Sequence, residues 1–310
     1  MTPHPQVQRL LEAVSNSPFP PLSEVPAFVA RRLYAERCRI VKPAAPEARV
    51  KLLMTTGGTV VRCYRPANAS KTDALPALVY YHGGGWTIGD LDTHDTLCRQ
   101  RASGGGCAVF SVDYRLAPES AFPAAIDDCL AATEYVLENA KNLAIDPARV
   151  AVGGDSAGGN LAAVVALTLK KRLAFQLLIY PCVDQRMATD SIQRNGKGYL
   201  LTRALMERFR ANYLPNEKDK LDWRASPLLA KSLAGLPPAF LLTAGFDPLV
   251  DEGRAYAERL EHEGVEVEYR DYPDMIHGFI VMGGVLDTAN EAVADCCKAL
   301  RRAFEKVAAL

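Results

Sequence analysis

The chain has no net charge: Lys and Arg together number 36, and so do Asp and Glu. Such a balance produces no bulk field toward nucleic acid or an anionic membrane, so the expected partner is a small, weakly charged molecule. No stretch approaches the ~20 apolar residues of a membrane span, and the opening MTPHPQVQRLLEAV lacks a basic segment followed by an apolar run. These absences predict a soluble, cytoplasmic protein with no membrane or nucleic-acid partner. The eight cysteines form no C-x-x-C pair and no zinc-like spacing with the five histidines. They are expected as small buried hydrophobes in a reducing compartment, with no metal. There is also no G-x-x-x-x-G-K-[ST] and no G-x-G-x-x-G opening a helix with an acid downstream, which removes two common phosphate cradles. Internal repeats and low-complexity tracts are absent, and 310 residues suffice for one large α/β domain with at most a small appendage.

What is present is a rhythm of short apolar runs. Six stretches read as strands: 77–82 (ALVYYH), 107–113 (CAVFSVD), 149–154 (RVAVGG), 175–181 (FQLLIYP), 239–245 (AFLLTAG) and 265–272 (VEVEYRDY). Most are separated by helix patterns, which predicts a mainly parallel sheet covered on both faces, with ligands bound beyond the carboxyl ends of its strands. Before them, residues 51–54 and 59–65 alternate around Gly57 and Gly58 and read as a β-hairpin. Two helical patterns, 6–16 and 25–41, flank the prolines Pro18, Pro20 and Pro21. The rhythm breaks over 184–227, where an aromatic and leucine-rich helix pattern at 199–213 comes without any strand. We read this as an insertion that joins the N-terminal segment as a lid.

The most pointed stretch is VAVGGDSAGG, residues 150–159. Ser156 stands where a strand becomes a helix, with Gly154 and Gly158 two residues to either side, as a nucleophile on a sharp turn requires. Ala157 then supplies the first free N–H of the helix. His82, Gly83, Gly84, Gly85 and Trp86 follow a strand directly, and three successive glycines let backbone N–H groups approach an anion. His277 in YPDMIHGF follows the last strand pattern and is the expected general base. Asp247 ends AFLLTAGFD and is the favoured acid over Asp251, Asp271 and Asp274, because it lies at a strand's carboxyl end and gives the order Ser, Asp, His.

With HGGGW, GDSAGG, DPL and HGF in that order, joined by DYRLAPE (113–119) and SPLLA (226–230), the chain resembles the hormone-sensitive-lipase family of α/β-hydrolase esterases in its bacterial GDSAG-type branch. The likeness runs from about residue 50 to the C-terminus. It implies an α/β-hydrolase fold: a mainly parallel twisted sheet of about eight strands flanked by helices, with a helical cap. Residues 1–45 and 185–225 would form the cap, and 46–184 with 226–310 the catalytic domain. It implies Ser156 as nucleophile, Asp247 as orienting acid, His277 as base, and Gly84, Gly85 and Ala157 as oxyanion donors. The reaction expected is hydrolysis of short to medium acyl-chain esters through an acyl-enzyme, with no cofactor. The alternatives are an amidase or deacetylase with the same triad, or a non-catalytic small-molecule receptor on the same fold. Trp86, Ile88, Tyr199, Leu200, Phe209 and Tyr213 are the candidate pocket residues, and Asp155 is a candidate for orienting neighbouring loops. A homodimer through the edge strand 265–272 is expected as well. Asp274 departs from the family pattern, standing where a small residue is usual.

Overall fold

The computed structural model describes residues 2–309. The hairpin forms as the alternation demands: β1 (Ala48–Met54) turns into β2 (Val60–Pro66) through Gly58, whose φ of +85° only glycine adopts freely. The apolar runs become β3 (Leu75–Tyr81), β4 (Ala108–Val112), β5 (Ile145–Asp155), β6 (Phe175–Ile179), β7 (Ala239–Phe246) and β8 (Val267–Ile276). They join in one eight-stranded sheet of order β1-β2-β4-β3-β5-β6-β7-β8. The pairs β1 with β2 and β2 with β4 are antiparallel, and all the others are parallel.

The inner strands β3, β4, β6 and β7 are almost wholly apolar because both faces are covered, whereas the edge strands β1 and β8 carry charged side chains. Along β3, Ala77, Val79 and Tyr81 enter one core and Leu78 and Tyr80 the other. The first core is closed by α4 (Ala124–Glu138), α5 (Ala157–Leu169) and α8 (Val250–His262), the second by α3 (Asp95–Gly105) and α9 (Asp287–Ala308).

The N-terminal patterns form α1 (Pro5–Ser15), with Pro5 at its first position, and α2 (Ala27–Val41), which starts two residues later than its periodicity suggests because Pro26 occupies the cap. The insertion holds α6 (Asp190–Arg194) and α7 (Arg203–Tyr213); α7 is shorter than the pattern 199–213, since Thr202 caps it by accepting from Leu205 N–H at 3.2 Å. Arg208 Nε on α7 donates to Ser23 O at 3.1 Å, which ties the insertion to the N-terminal segment. None of the described helices is long and apolar enough to cross a membrane.

The last strand differs from its expected span. Val265 and Glu266 follow the turn at Gly264 and lie before the strand, and β8 runs from Val267 on through Pro273 to Ile276. A sheet edge tolerates a proline because one row of its N–H groups has no partner. Gly245 on β7 makes room for the bend: a Cβ there would lie 2.2 Å from Pro273 O.

Candidate active site

Four strands of the sheet end in a candidate functional residue. His82 follows β3, Ser156 follows β5, Asp247 follows β7 and His277 follows β8. The parallel register therefore delivers all four to one edge of the sheet.

Ser156 has φ +57° and ψ −116°, a region costly for a residue with a side chain. The chain can turn that tightly because its flanks are bare. A Cβ on Gly158 would lie 1.9 Å from Tyr81 O, and one on Gly154 2.3 Å from Gly158 O. Ser156 N–H is spent on Ile179 O at 2.9 Å, so the first N–H free to face a ligand is that of Ala157, at the start of α5.

His277 Nε2 lies 2.8 Å from Ser156 Oγ, and His277 Nδ1 lies 2.7 Å from Asp247 Oδ2. Asp247 is fully buried, and its other oxygen accepts Leu249 N–H at 2.8 Å. With the ring proton on Nδ1 donated to Asp247, Nε2 is free to accept from the serine. None of the three rival acids is the partner of His277 Nδ1, and two of their carboxylates, those of Asp251 and Asp271, are engaged elsewhere. Asp251 accepts Ser191 N–H and pairs with Arg194, Asp271 accepts the Thr243 hydroxyl, and Asp274 offers its main-chain carbonyl to His4 N–H.

The glycine loop lies alongside. Gly84 and Gly85 have φ of +123° and +56°, and Gly83 N–H is already donated to Asp155 Oδ1 at 3.1 Å. That leaves the Gly84 and Gly85 N–H groups for a ligand. A Cβ on Gly85 would strike the Phe209 ring at 2.1 Å, so the insertion packs directly onto this loop.

Above these residues lies a cavity of about 780 Å³. Gly84, Gly85, Ser156, Ala157 and His277 lie in its wall, together with the candidate pocket residues Trp86, Ile88, Leu200 and Phe209. Tyr199 and Tyr213 require correction, because neither lines it. Tyr199 packs on Phe246 with ring centroids 5.2 Å apart. Tyr213 is wholly buried behind Trp86, stacked on it at 4.4 Å, so it supports the wall without reaching the space. Val29, Leu33 and Tyr34 of α2 supply wall in addition, with Leu205 and Met206 of α7. The N-terminal segment carries no motif, and only the apolar periodicity of α2 could have pointed to its contribution.

A buried polar cluster behind the glycine loop was only partly foreseen. Asp155, next to Ser156, accepts Tyr80 Oη at 2.7 Å as well as Gly83 N–H, and His94 Nε2 lies 3.3 Å from its Oδ2 and 3.2 Å from its Oδ1. Burial pushes the Asp155 carboxyl up, but the neighbouring His94, the Tyr80 hydroxyl and His82 outweigh it and hold the group below the usual carboxylate range. Asp155 is thus a fixed anion that anchors the loop. His82 stacks on Tyr114 at 4.3 Å, and burial, reinforced by His94, lowers its pKa to about 4.

That shift has a pH signature. Between about pH 4 and its ordinary 6.5 the unfolded chain binds a proton at this site that the folded chain refuses, so stability is full above 6.5 and declines as pH falls toward 4. We expect His82→Asn to remove about 2 kcal/mol of the stability difference between pH 7 and pH 5 in urea unfolding. An unchanged difference would contradict the assignment.

A mostly parallel sheet that brings a serine, an acid and a histidine in that chain order to its carboxyl edge is the α/β-hydrolase architecture. A family model described as alpha/beta hydrolase fold matches residues 78–281. Ethyl acetate hydrolase of Pseudomonas putida is 41% identical over 292 residues, covering 91% of this chain and 92% of its own. Carboxylesterase NlhH of Mycobacterium tuberculosis is 45% identical over 255 residues, covering 79% and 78%. Among solved structures, an ester hydrolase from the metagenome of Lake Arreo, complexed with a bipyridine phosphonate derivative, superposes with a TM-score of 0.92 at 40% identity, covering 98% of this chain and 100% of that one. A thermostable esterase from Pseudomonas putida gives 0.92 at 36% identity, with 98% of each chain covered. The chain belongs to the α/β-hydrolase family, in its hormone-sensitive-lipase-like group. It is a carboxylic ester hydrolase.

Proposed function

We propose that the protein is a serine carboxylesterase that hydrolyses short to medium acyl-chain esters through an acyl-enzyme on Ser156. The observation that carries this reading is the unbroken hydrogen-bonded line from Ser156 Oγ through His277 to the buried Asp247. Ser156 Oγ attacks the ester carbonyl carbon while His277 Nε2 takes its proton, and Asp247 stabilises the imidazolium that forms. The carbonyl oxygen becomes an oxyanion facing the Gly84, Gly85 and Ala157 N–H groups. As the tetrahedral species collapses, the bond to the alcohol oxygen breaks and His277 returns the proton to it. Water then repeats the sequence on the acyl-enzyme, releasing the acid and restoring the Ser156 hydroxyl.

The apolar side chains that α2 and α7 place in the cavity wall beside Ser156 support an acyl-chain subsite there. The test is hydrolysis of p-nitrophenyl acetate, butyrate, octanoate and palmitate at equal concentration. Turnover should peak at butyrate or octanoate and fall steeply at palmitate; a maximum at palmitate contradicts the preference.

The free edge of β8 supports a homodimer formed by two paired β8 strands as part of the same proposal. Light scattering should then give twice the chain mass. A monomer at micromolar concentration speaks against it.

A further inference from the structure

The stretch DYRLAPE, 113–119, supplies none of the hydrogen-bonded trio, yet it is wired to the glycine loop. Tyr114 Oη donates to His82 O at 2.7 Å, and Ala117 N–H donates to Trp86 O at 2.7 Å. A further connection comes from outside both loops, through Arg31 on α2. Its Nε donates to Thr87 O at 2.8 Å, its Nη2 to Ala117 O at 2.9 Å, and its Nη1 and Nη2 to the Glu119 carboxylate at 2.8 and 2.5 Å. One planar guanidinium thus holds three groups on two loops, a geometry that lysine, a point charge on a flexible stem, does not reproduce.

Thr87 is a sensitive place to hold. Its N–H and that of Ile88 donate to Gly84 O at 3.0 and 2.9 Å, and its hydroxyl donates to Gly85 O at 3.0 Å. Gly84, Gly85 and Trp86 all have positive φ, and a run of glycines has no side chains to fix it, so these bonds set where the Gly84 and Gly85 N–H groups point. The Glu119 side chain is 60% exposed, so that ion pair contributes little by itself. The carbonyl contacts matter more. On the same helix, Leu33 and Tyr34 face the cavity.

We infer that Arg31 is a positioning residue: it couples the seating of α2, and with it one wall of the cavity, to the placement of the Gly84 and Gly85 oxyanion donors. The inference rests on the serine-esterase reading above. It makes α2 a determinant of kcat as well as of fit, since a displacement on the order of 1 Å at such donors costs up to about 100-fold.

The test compares wild type with Arg31→Gln, Arg31→Lys and Glu119→Gln on p-nitrophenyl butyrate, with active sites counted by phosphonate titration. A trifluoromethyl ketone, which accepts Ser156 Oγ to form a tetrahedral oxyanion, reports on the donors directly. Arg31→Gln should lower kcat per titrated site by about 10- to 100-fold, leave KM within about twofold, and raise the ketone Ki by the same factor as kcat falls. Arg31→Lys should recover only a small part of the loss, and Glu119→Gln should stay within about threefold of wild type. A merely structural Arg31 would lower Tm or the number of titratable sites without moving kcat per site or the ketone Ki, and that result overturns the inference. If Arg31→Gln yields no folded protein, Arg31→Lys decides: wild-type kcat and Ki in that variant overturn it equally. A wild type that neither hydrolyses the ester nor titrates with phosphonate contradicts the esterase reading itself, and the inference falls with it.

Discussion

Ser156→Ala is expected to lower kcat on a short-chain p-nitrophenyl ester by about a million-fold, with KM changed by no more than a few-fold. The size follows from the geometry. Ser156 Oγ is the atom that His277 Nε2 holds at 2.8 Å, and alanine leaves that base with nothing to deprotonate except water that lacks a fixed place. The oxyanion donors and cavity survive the change, because Ser156 contributes its backbone N–H to Ile179 O and its backbone O to Cys182 N–H and Asn160 N–H, none of which the substitution touches. Residual turnover on the order of 10³-fold above water is therefore expected from binding and the oxyanion site alone. The measurement is steady-state kinetics on protein freed of wild-type contamination, with thermal melting to establish equal folding. A loss of less than about 100-fold would remove Ser156 from the nucleophile role.

Asp247→Asn should cost about 10⁴-fold in kcat while leaving the fold intact. Asparagine keeps a carbonyl oxygen for Leu249 N–H, so the local backbone loses no partner. What changes is the group facing His277 Nδ1. If the amide carbonyl stays on Leu249, an NH₂ donor replaces the carboxylate and favours the tautomer with its proton on Nε2, which cannot accept from Ser156. The imidazolium formed during attack also loses its buried counter-charge. Asp271→Asn, at a rival carboxylate that accepts the Thr243 hydroxyl, should leave kcat within about threefold. An equal loss in the two variants would contradict the choice of Asp247.

How far the sequence carried depended on how local the cause was. β3 was legible because burial on both faces leaves an uninterrupted apolar run, and Ser156 because Gly154 and Gly158 must make way for backbone atoms within a few residues or on the adjacent strand. Asp247 and His277 were legible because each directly follows a strand. Tyr213 was misread because helical spacing groups it with Phe209 but does not tell which of the two faces the cavity and which backs Trp86. The Asp155 cluster depends on β3 lying beside β5 and on α3 packing over the second face, which bring Tyr80 and His94 to one carboxylate from 75 and 61 residues away. Arg31 is separated from Glu119 by 88 residues and has no motif of its own. Its role appears only once the N-terminal helix is seen against the glycine loop.

The most direct test of the account is to identify the residue that becomes covalently modified. The protein is incubated with a p-nitrophenyl alkylphosphonate, nitrophenol release is followed, and the digested product is mapped by mass spectrometry. One nitrophenol per chain is expected, with activity lost in step, the phosphonyl adduct on the peptide carrying Ser156 alone, and labelling abolished in Ser156→Ala. Full ester turnover after Ser156 is blocked, or inactivation with the adduct on another residue, would contradict it.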